Sequence, residues 1–390
     1  MNAGAGRVLF YVQHLLGIGH LRRAVTMANA MTNAGLEVTL VSGGMPLPSL
    51  KINVTHYVQL SPASAADLSF KTLLDAHGQP VDEAWRQDRC AQLLAAYREA
   101  DPQVILVELF PFGRRQMQFE LIPMLDAARL RESPPVVVSS VRDVLGGGQS
   151  DPTRQDQMLA SFESHFDQVL VHGDPALVPF DKTFRHTGQL GNRLHYTGYV
   201  VEPVAVSKGP EMQGHQEVLV SVGGGAVGHR LLRTALQARP ISQLSHLRWR
   251  LLAGVNASAS DLEQLRLAAG SEDGVVVEHH SSDFPGLLAQ CRLSISQGGY
   301  NTVMEVIQAR APAVIVPYAG GSETEQTLRT RLLAEHGWVE MVEEAELNAQ
   351  SLALAVDRAS VRTALPPAVR LDGALQSANI VASWARDHFR

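Results

Sequence analysis

The chain is predicted to be an α/β protein of two Rossmann-like halves, each a parallel sheet wrapped by helices. Three observations carry this. Short apolar runs alternate with helix-period segments along the length of the chain, the rhythm that builds parallel sheets. That rhythm lapses in the polar, Gly/Pro-bearing stretch Ser207 to Gln216 and restarts at Glu217. Glycine-rich turns follow apolar runs in both halves, at Gly17-Ile-Gly19, Gly223-Gly-Gly225 and Gly298-Gly299. The expected division is a first domain over 1–203, a linker over 204–216, a second domain over 217–365, and a helical tail over 366–390 that packs back on the first domain.

In order, Arg7 to Gln13 reads as a buried strand and His14 to His20 as a loop. Leu21 to Asn33 has apolar residues at helical spacing, and Gly35 suits the position just after a helix end. Glu37 to Ser42 is a second strand, which completes a βαβ unit. Pro46 to Pro80 is irregular, with a β-like run near Val54 to Leu60. Helices are expected over Asp82 to Ala100 and Gln116 to Arg131, and strands over Val104 to Val107, Val136 to Ser140 and Gln168 to Val171. Gly188 to Pro203 has weak periodicity. The second half repeats the pattern: strands at Val218, Trp249, Val275, Leu293, Ala313 and Val339, with helices between them.

The 390 residues give room for two to three domains. A formal net charge of -6 and the lack of a dense Lys/Arg block argue against nucleic acid. Cys90 and Cys291 are far apart, with neither disulfide nor metal spacing, and suit a reduced cytoplasm. No signal-peptide pattern stands at Met1, and no apolar run reaches the roughly 20 residues that span a bilayer. Peripheral membrane contact stays open, as does the oligomeric state.

Ser294 to Glu305 is the richest stretch. A strand that ends in glycines and feeds a helix makes an anion site, because backbone N–H groups and the helix dipole favour negative charge. Gly298 and Gly299 let a ligand approach, Asn301 and Thr302 open the helix, and Glu305 lies one turn on, placed to accept hydrogen bonds from ribose. Gly223, Gly224 and Gly225 would form a second cradle. Two such junctions in one half point to a diphosphate. No Walker lysine, no G-x-S-x-G elbow, no Asp-x-Asp and no metal-ligand cluster occurs.

In the first half, Gly19 and His20 stand where loop meets helix. His20 is a general base or a phosphate partner; the plainer alternative is a solvated residue near a helix start. Glu108 ends a strand beside Arg114 and Arg115. It is a base, a binder of acceptor hydroxyls, or a member of a structural ion pair. The arginines pair with phosphate or with Asp143. His279 and His280 are candidates for a base pocket, while His172, His186 and His195 carry no functional signal.

Taken together, the G-x-G-H opening, the GGG-x-x-G loop and the S-x-x-G-x-x-T-x-x-E run resemble the MurG-like glycosyltransferases of family 28. The runs Q-H-x-L-G-I-G-H-L-R-R and E-x-F-P-F-G-R-R resemble a group of predicted glycosyltransferases. The resemblance implies the GT-B fold, with two Rossmann-like domains facing each other across a cleft. It implies a nucleoside-diphosphate sugar, expected to be UDP-linked, as co-substrate, with no further cofactor. Glu305 would bind ribose; Gly298, Gly299 and Thr302 the diphosphate, with Gly224 and Gly225 closing the other side. Glu325 and Gln326 would meet donor-sugar hydroxyls, and His20 would face the sugar. Inverting transfer to an acceptor hydroxyl follows, with His20 as first-choice base and Glu108 as second. The residues Glu108, Arg114 and Arg115 have no aligned counterpart, so the acceptor does not carry over. A sugar-nucleotide 2-epimerase and a non-catalytic nucleotide-sugar-binding protein are the alternatives.

Overall fold

The computed structural model describes residues 5–48, 50–67, 72–146, 151–202, 216–222, 228–254, 257–270, 274–281, 283–320, 324–362 and 369–388. The chain divides into two units, Met1–Val201 with Val369–Arg390, and Glu202–Ala368.

The first unit starts with β1 (Arg7–Val12), α1 (Gly19–Asn33), β2 (Glu37–Ser42) and β3 (His56–Gln59). A small hairpin, β4 (Ser64–Ala65) and β5 (Leu73–Leu74), then precedes α2 (Glu83–Ala100), β6 (Val104–Glu108) and α3 (Gln118–Arg129). The run closes with β7 (Val136–Arg142), α4 (Pro152–His165), β8 (Gln168–His172), the short α5 (Thr187–Leu190) and β9 (Leu194–Tyr196).

Seven strands form one sheet in the order β3-β2-β1-β6-β7-β8-β9, all parallel. Strand alternation splits β1 cleanly. Leu9 and Tyr11 join a core with residues of α2, α3 and α4, while Val8, Phe10 and Val12 join a second core with α1. Both layers are buried, which is why β1 reads as a continuous apolar run.

Local signals account for the helix ends. The Asp82 carboxylate accepts from Trp85 N–H at 2.8 Å to start α2, and Asp101, in the left-handed region at φ 38°, stops it before Pro102. Asp151 caps α4 ahead of Pro152, the favoured first helical residue.

The second unit runs β10 (Val218–Ser221), α6 (His229–Ala238), β11 (Trp249–Leu252), α7 (Ala259–Ala269), β12 (Val275–Glu278) and α8 (Phe284–Gln290). It continues with β13 (Leu293–Gln297), α9 (Tyr300–Ala309), β14 (Ala313–Val316), α10 (Glu325–Glu335), β15 (Glu340–Met341) and α11 (Ala349–Ser360). Its six strands are parallel in the order β12-β11-β10-β13-β14-β15. One core face joins Val218, Val220, Leu251, Leu293 and Ile295 to α6, α7 and α11.

The last helix, α12 (Gly373–Asp387), belongs to the first unit and lies against α1. Small residues allow the approach: Ala378, Ala382 and Ala385 share a core with Ala24 and Ala28.

Both sheets change direction once. In the first unit, β1 is followed by β2 on one side and flanked by β6 on the other; in the second, β10 stands between β11 and β13. In open parallel sheets, loops that leave such a switch point diverge and leave a crevice beyond the strand C-termini. The loops concerned follow β1 and β6 in one unit and β10 and β13 in the other. They carry the motifs singled out in the sequence.

Two expectations about elements change. The weakly periodic stretch after Gly188 holds a paired edge strand, β9, which bonds to β8 despite its length of three residues. The helix expected from Gln116 begins as a 3-10 turn at Arg115–Met117, with α3 proper starting at Gln118. Residues 203–215, within which most of the expected linker falls, lie outside the described residues, as do Gly223, Gly224 and Gly225.

Candidate active site

In the first unit the loop after β1 leads into His20, in the first turn of α1, while Glu108 is the last residue of β6. The switch point brings them together. His20 Nδ1 lies 2.8 Å from Glu108 Oε1. Arg23, on the same face of α1, also donates to Oε1, and its Nη2 stands 3.4 Å from His20 Nδ1. The Glu108 side chain is wholly buried and Arg23 is nearly so, while His20 keeps 14% of its side chain exposed. The hydrogen bonds leave Glu108 Oε2 buried without a partner.

Charge decides the protonation of this cluster. Burial raises the Glu108 carboxyl, but His20 and Arg23 pull it the other way and bring it to about 2. Arg23 exerts this hold whatever the state of His20, so Glu108 is an anion at ordinary pH. Burial lowers His20 to about 3; Glu108 pulls upward, and Arg114 and Arg142 push further down. His20 is therefore neutral. A neutral ring beside a carboxylate must put its proton on Nδ1 and donate it, which leaves Nε2 bare. Glu108, saturated at Oε1 and buried, is the orienting group; His20 has the free lone pair.

The other first-unit candidates scatter around this pair. Gly19 opens α1. Arg114 is half-buried, sits in the left-handed region at φ 57°, and donates through Nε to Gln13 O at 3.0 Å. Arg115, its neighbour, is exposed. Asp143 is buried; its carboxylate accepts from Val144 N–H at 2.8 Å and from the Tyr199 hydroxyl at 3.1 Å.

Beneath Glu108, the next strands hold another buried ring. His172 Nε2 is 2.8 Å from Ser140 Oγ and its Nδ1 is 2.9 Å from Thr197 Oγ1. Burial takes this imidazole to about 3, and Arg23 lowers it further. With both nitrogens engaged, His172 is a packing group.

In the second unit β13 ends at Gln297, and Gly298-Gly299 turn the chain into α9. No side chain caps this helix, and no acidic residue stands in its first turn. The first helical bond runs from Val303 N–H to Gly299 O at 2.9 Å, so the helix ladder itself begins only at Val303 and does not engage the N–H groups of Asn301 and Thr302. Such an end receives an anion. Gly298 is required by space: a Cβ there would stand 2.9 Å from Thr330 Oγ1 and 3.2 Å from Gln326 Cβ. Among the described residues nothing lies within 4 Å of the Cβ position of Gly299. Glu305 is half-buried one helical turn beyond Asn301.

The start of α10 is fastened to the same turn. Glu325, only 5% exposed, accepts from Arg329 at 2.9 Å, and the Arg329 guanidinium lies 5.0 Å from the centre of the Tyr300 ring. Gln326 Oε1 accepts from Tyr318 N–H at 3.0 Å. Glu325, expected to meet donor-sugar hydroxyls, thus has a structural partner in Arg329. His279 and His280 are exposed after β12, with His279 Nε2 3.2 Å from Ala257 O. Among the described residues no group of three or more His, Cys, Asp or Glu is poised for a metal ion, and no helix is long and apolar enough to cross a membrane.

Sequence reasoning passed over Arg23. Its spacing of three from His20 places both on one helix face, a signal that was available. It also passed over the fully buried pair Arg89–Glu120, at 2.6 Å, and over Arg329. Nothing in the local pattern sets these charged residues apart from solvated ones.

Residues 219–363 match the glycosyltransferase family 28 C-terminal domain. A UDP-N-acetylglucosamine–N-acetylmuramyl-(pentapeptide) pyrophosphoryl-undecaprenol N-acetylglucosamine transferase of Caulobacter vibrioides is 25% identical over 342 residues, covering 87% of this chain and 86% of that protein. The same-named protein of Granulibacter bethesdensis is 27% identical over 245 residues, or 60% of this chain, and the match spans only 58% of its own length. The crystal structure of Acinetobacter baumannii MurG superposes with a TM-score of 0.59 at 15% identity, covering 98% of this chain and 99% of that one. The calicheamicin glycosyltransferase CalG4 gives a TM-score of 0.59 at 15% identity, over 98% and 97% of the two chains. The chain thus has the GT-B fold and is MurG-like, its residues 219–363 forming a glycosyltransferase family 28 C-terminal domain.

Proposed function

We propose that the protein transfers a sugar from a nucleoside diphosphate, UDP being the expected carrier, to an acceptor hydroxyl with inversion at the anomeric carbon. The observation that carries this reading is the match of residues 219–363 to the family 28 domain, across the Gly298-Gly299 turn and its uncapped helix. The diphosphate would lie at the N–H groups of Asn301 and Thr302, close to Gly298 and Gly299. Glu305 would take the ribose hydroxyls, and Gly223 to Gly225 would supply a second anion contact. Glu325 and Gln326 would meet the donor-sugar hydroxyls.

His20 Nε2 takes the proton from the acceptor hydroxyl as that oxygen bonds to the anomeric carbon and the bond to the diphosphate breaks. The imidazolium so formed is stabilised by Glu108. Negative charge that builds on the leaving diphosphate is met by the helix start, so the step calls on no metal. Gly19, Arg114, Arg115 and Asp143 remain the acceptor-side candidates, and a cytoplasmic location belongs to the same reading.

A thermal-shift panel of UDP, GDP, dTDP and their sugar conjugates tests it. The matching nucleotide at about 100 times its dissociation constant should stabilise the protein by about 2.7 kcal/mol. A flat panel, or product NMR that shows retention at the anomeric carbon, would remove the proposal.

A further inference from the structure

His20 and Arg23 lie three residues apart on α1, so both side chains descend on one face toward the end of β6. There they converge on a single atom, Oε1 of Glu108, with His20 Nδ1 at 2.8 Å and Arg23 Nη2 also in hydrogen-bond contact. The carboxylate is wholly buried, Arg23 is 4% exposed, and Oε2 has no hydrogen-bond partner. The charged groups that bear on His20 are Glu108 from β6, Arg114 from the loop after it, and Arg142 from β7.

We propose that Arg23 is a positioning residue for the transfer: its charge keeps Glu108 an anion, and that fixes the proton of His20 on Nδ1 and leaves Nε2 free to act as base. The inference rests on the reading of His20 given above. Its logic is that the His20–Glu108 hydrogen bond can run in either direction. A buried carboxyl without a cation tends to bind a proton. A neutral Glu108 would donate its O–H to Nδ1, and the ring would then carry its own proton on Nε2. That tautomer has no lone pair for an acceptor hydroxyl. Arg23 removes the alternative. It touches neither substrate nor the reacting Nε2; it acts on the Nδ1 side of the ring, chiefly through Glu108, with its own Nη2 3.4 Å from His20 Nδ1.

The test is the tautomer of His20, read from nitrogen-15 NMR of the imidazole in the full chain, with calorimetric UDP affinity measured beside it. Wild type should show the proton on Nδ1. Arg23→Gln should move His20 toward the Nε2–H form, leave UDP affinity unchanged, and lower kcat for transfer by ~100-fold with donor KM unmoved, a loss within the range of one acid–base contribution. Arg23→Lys, which keeps the charge, should restore the Nδ1–H form. Where Arg23→Gln does not fold, Arg23→Met, with an apolar stem for the same buried space, takes its place. An Nε2–H tautomer in wild type, or an unchanged tautomer in the Gln or Met variant, overturns the proposal. The tautomer needs no turnover, so a wild-type protein that neither binds UDP nor transfers sugar would strike the functional reading and leave the tautomer result standing.

Discussion

His20 Nδ1 and Glu108 Oε1 stand 2.8 Å apart although 88 residues separate them in the chain. The parallel pairing of β1 with β6 makes the contact, because it sets the end of β6 beside the loop that leads into α1. A wholly buried carboxylate that accepts from a neutral imidazole gives the ring one tautomer and one orientation. His20→Ala should therefore lower turnover by about 10²–10⁴-fold while UDP binding persists, and Glu108→Ala should lose most of the same factor. Single-turnover kinetics beside calorimetry check both. Turnover in His20→Ala like that of wild type would remove His20 from the mechanism.

Acid should destabilise the fold through its buried histidines. The His172 ring titrates near 6.5 in an unfolded chain but at about 3 in this protein. Between those values the unfolded chain binds a proton that the folded one does not. Stability therefore falls as pH falls through this window, by about 1.4 kcal/mol per pH unit for each such ring at full effect. His20 acts in the same direction over the same window, and Glu108 adds its own loss from 4.5 toward 2. His172→Gln should reduce the slope by about one proton. Urea midpoints measured from pH 7 to pH 4 would show this, and an unchanged slope would mean that His172 is already charged in the fold.

Much of the frame was legible because it is local. The glycines after an alternating strand predict the turn at Gly298-Gly299 and the helix it feeds. Asp82 and Asp101-Pro102 mark α2 to within a residue. The His20–Glu108 contact was not legible, since both residues could be read singly but their pairing depends on strand order. Strand β9 escaped because three residues with His195 and Tyr196 among them carry no apolar signature. Arg89 and Glu120 lie in helical segments whose local pattern gives no sign of burial, yet both side chains are fully buried, each the other's partner. The resemblance points Glu325 at a ligand; its carboxylate also has Arg329 as a partner inside the fold, at a distance of four residues that the sequence shows without saying which residue is buried.

The Gly298-Gly299 turn allows a sharper test than a single substitution. Gly298→Ala places a methyl group 2.9 Å from Thr330 Oγ1, so α10 must shift and stability should drop by roughly 1–3 kcal/mol. Gly299→Ala meets no atom of the described residues within 4 Å and should leave stability nearly unchanged. If the turn cradles a diphosphate, Gly299→Ala should still weaken UDP binding, because its methyl group would occupy ligand space. Glu305→Ala should cost about 1–3 kcal/mol of UDP affinity through lost charged hydrogen bonds. Calorimetry on all three checks this, and full UDP affinity in Gly299→Ala together with Glu305→Ala would move the nucleotide elsewhere.

Arg89 should be the most costly single side chain to remove outside the proposed site. It is fully buried, and its guanidinium binds Glu120 at 2.6 Å, Gln13 Oε1 at 2.5 Å, Gly43 O at 2.9 Å and Ser61 O at 2.5 Å. One side chain thus closes the ends of β1 and β2 and the segment after β3. The Tyr11 hydroxyl completes the network on Glu120 at 2.5 Å. Arg89→Met leaves the Glu120 charge buried without its cation and several oxygens without a donor, which should cost about 3–5 kcal/mol. Glu120→Gln strands the arginine instead and should cost a similar amount. The double variant should lose clearly less than the sum, since each single change already breaks the same pair. Urea unfolding of the four proteins measures the coupling. Additive losses would mean that Arg89 stabilises the fold through the loop carbonyls rather than through Glu120.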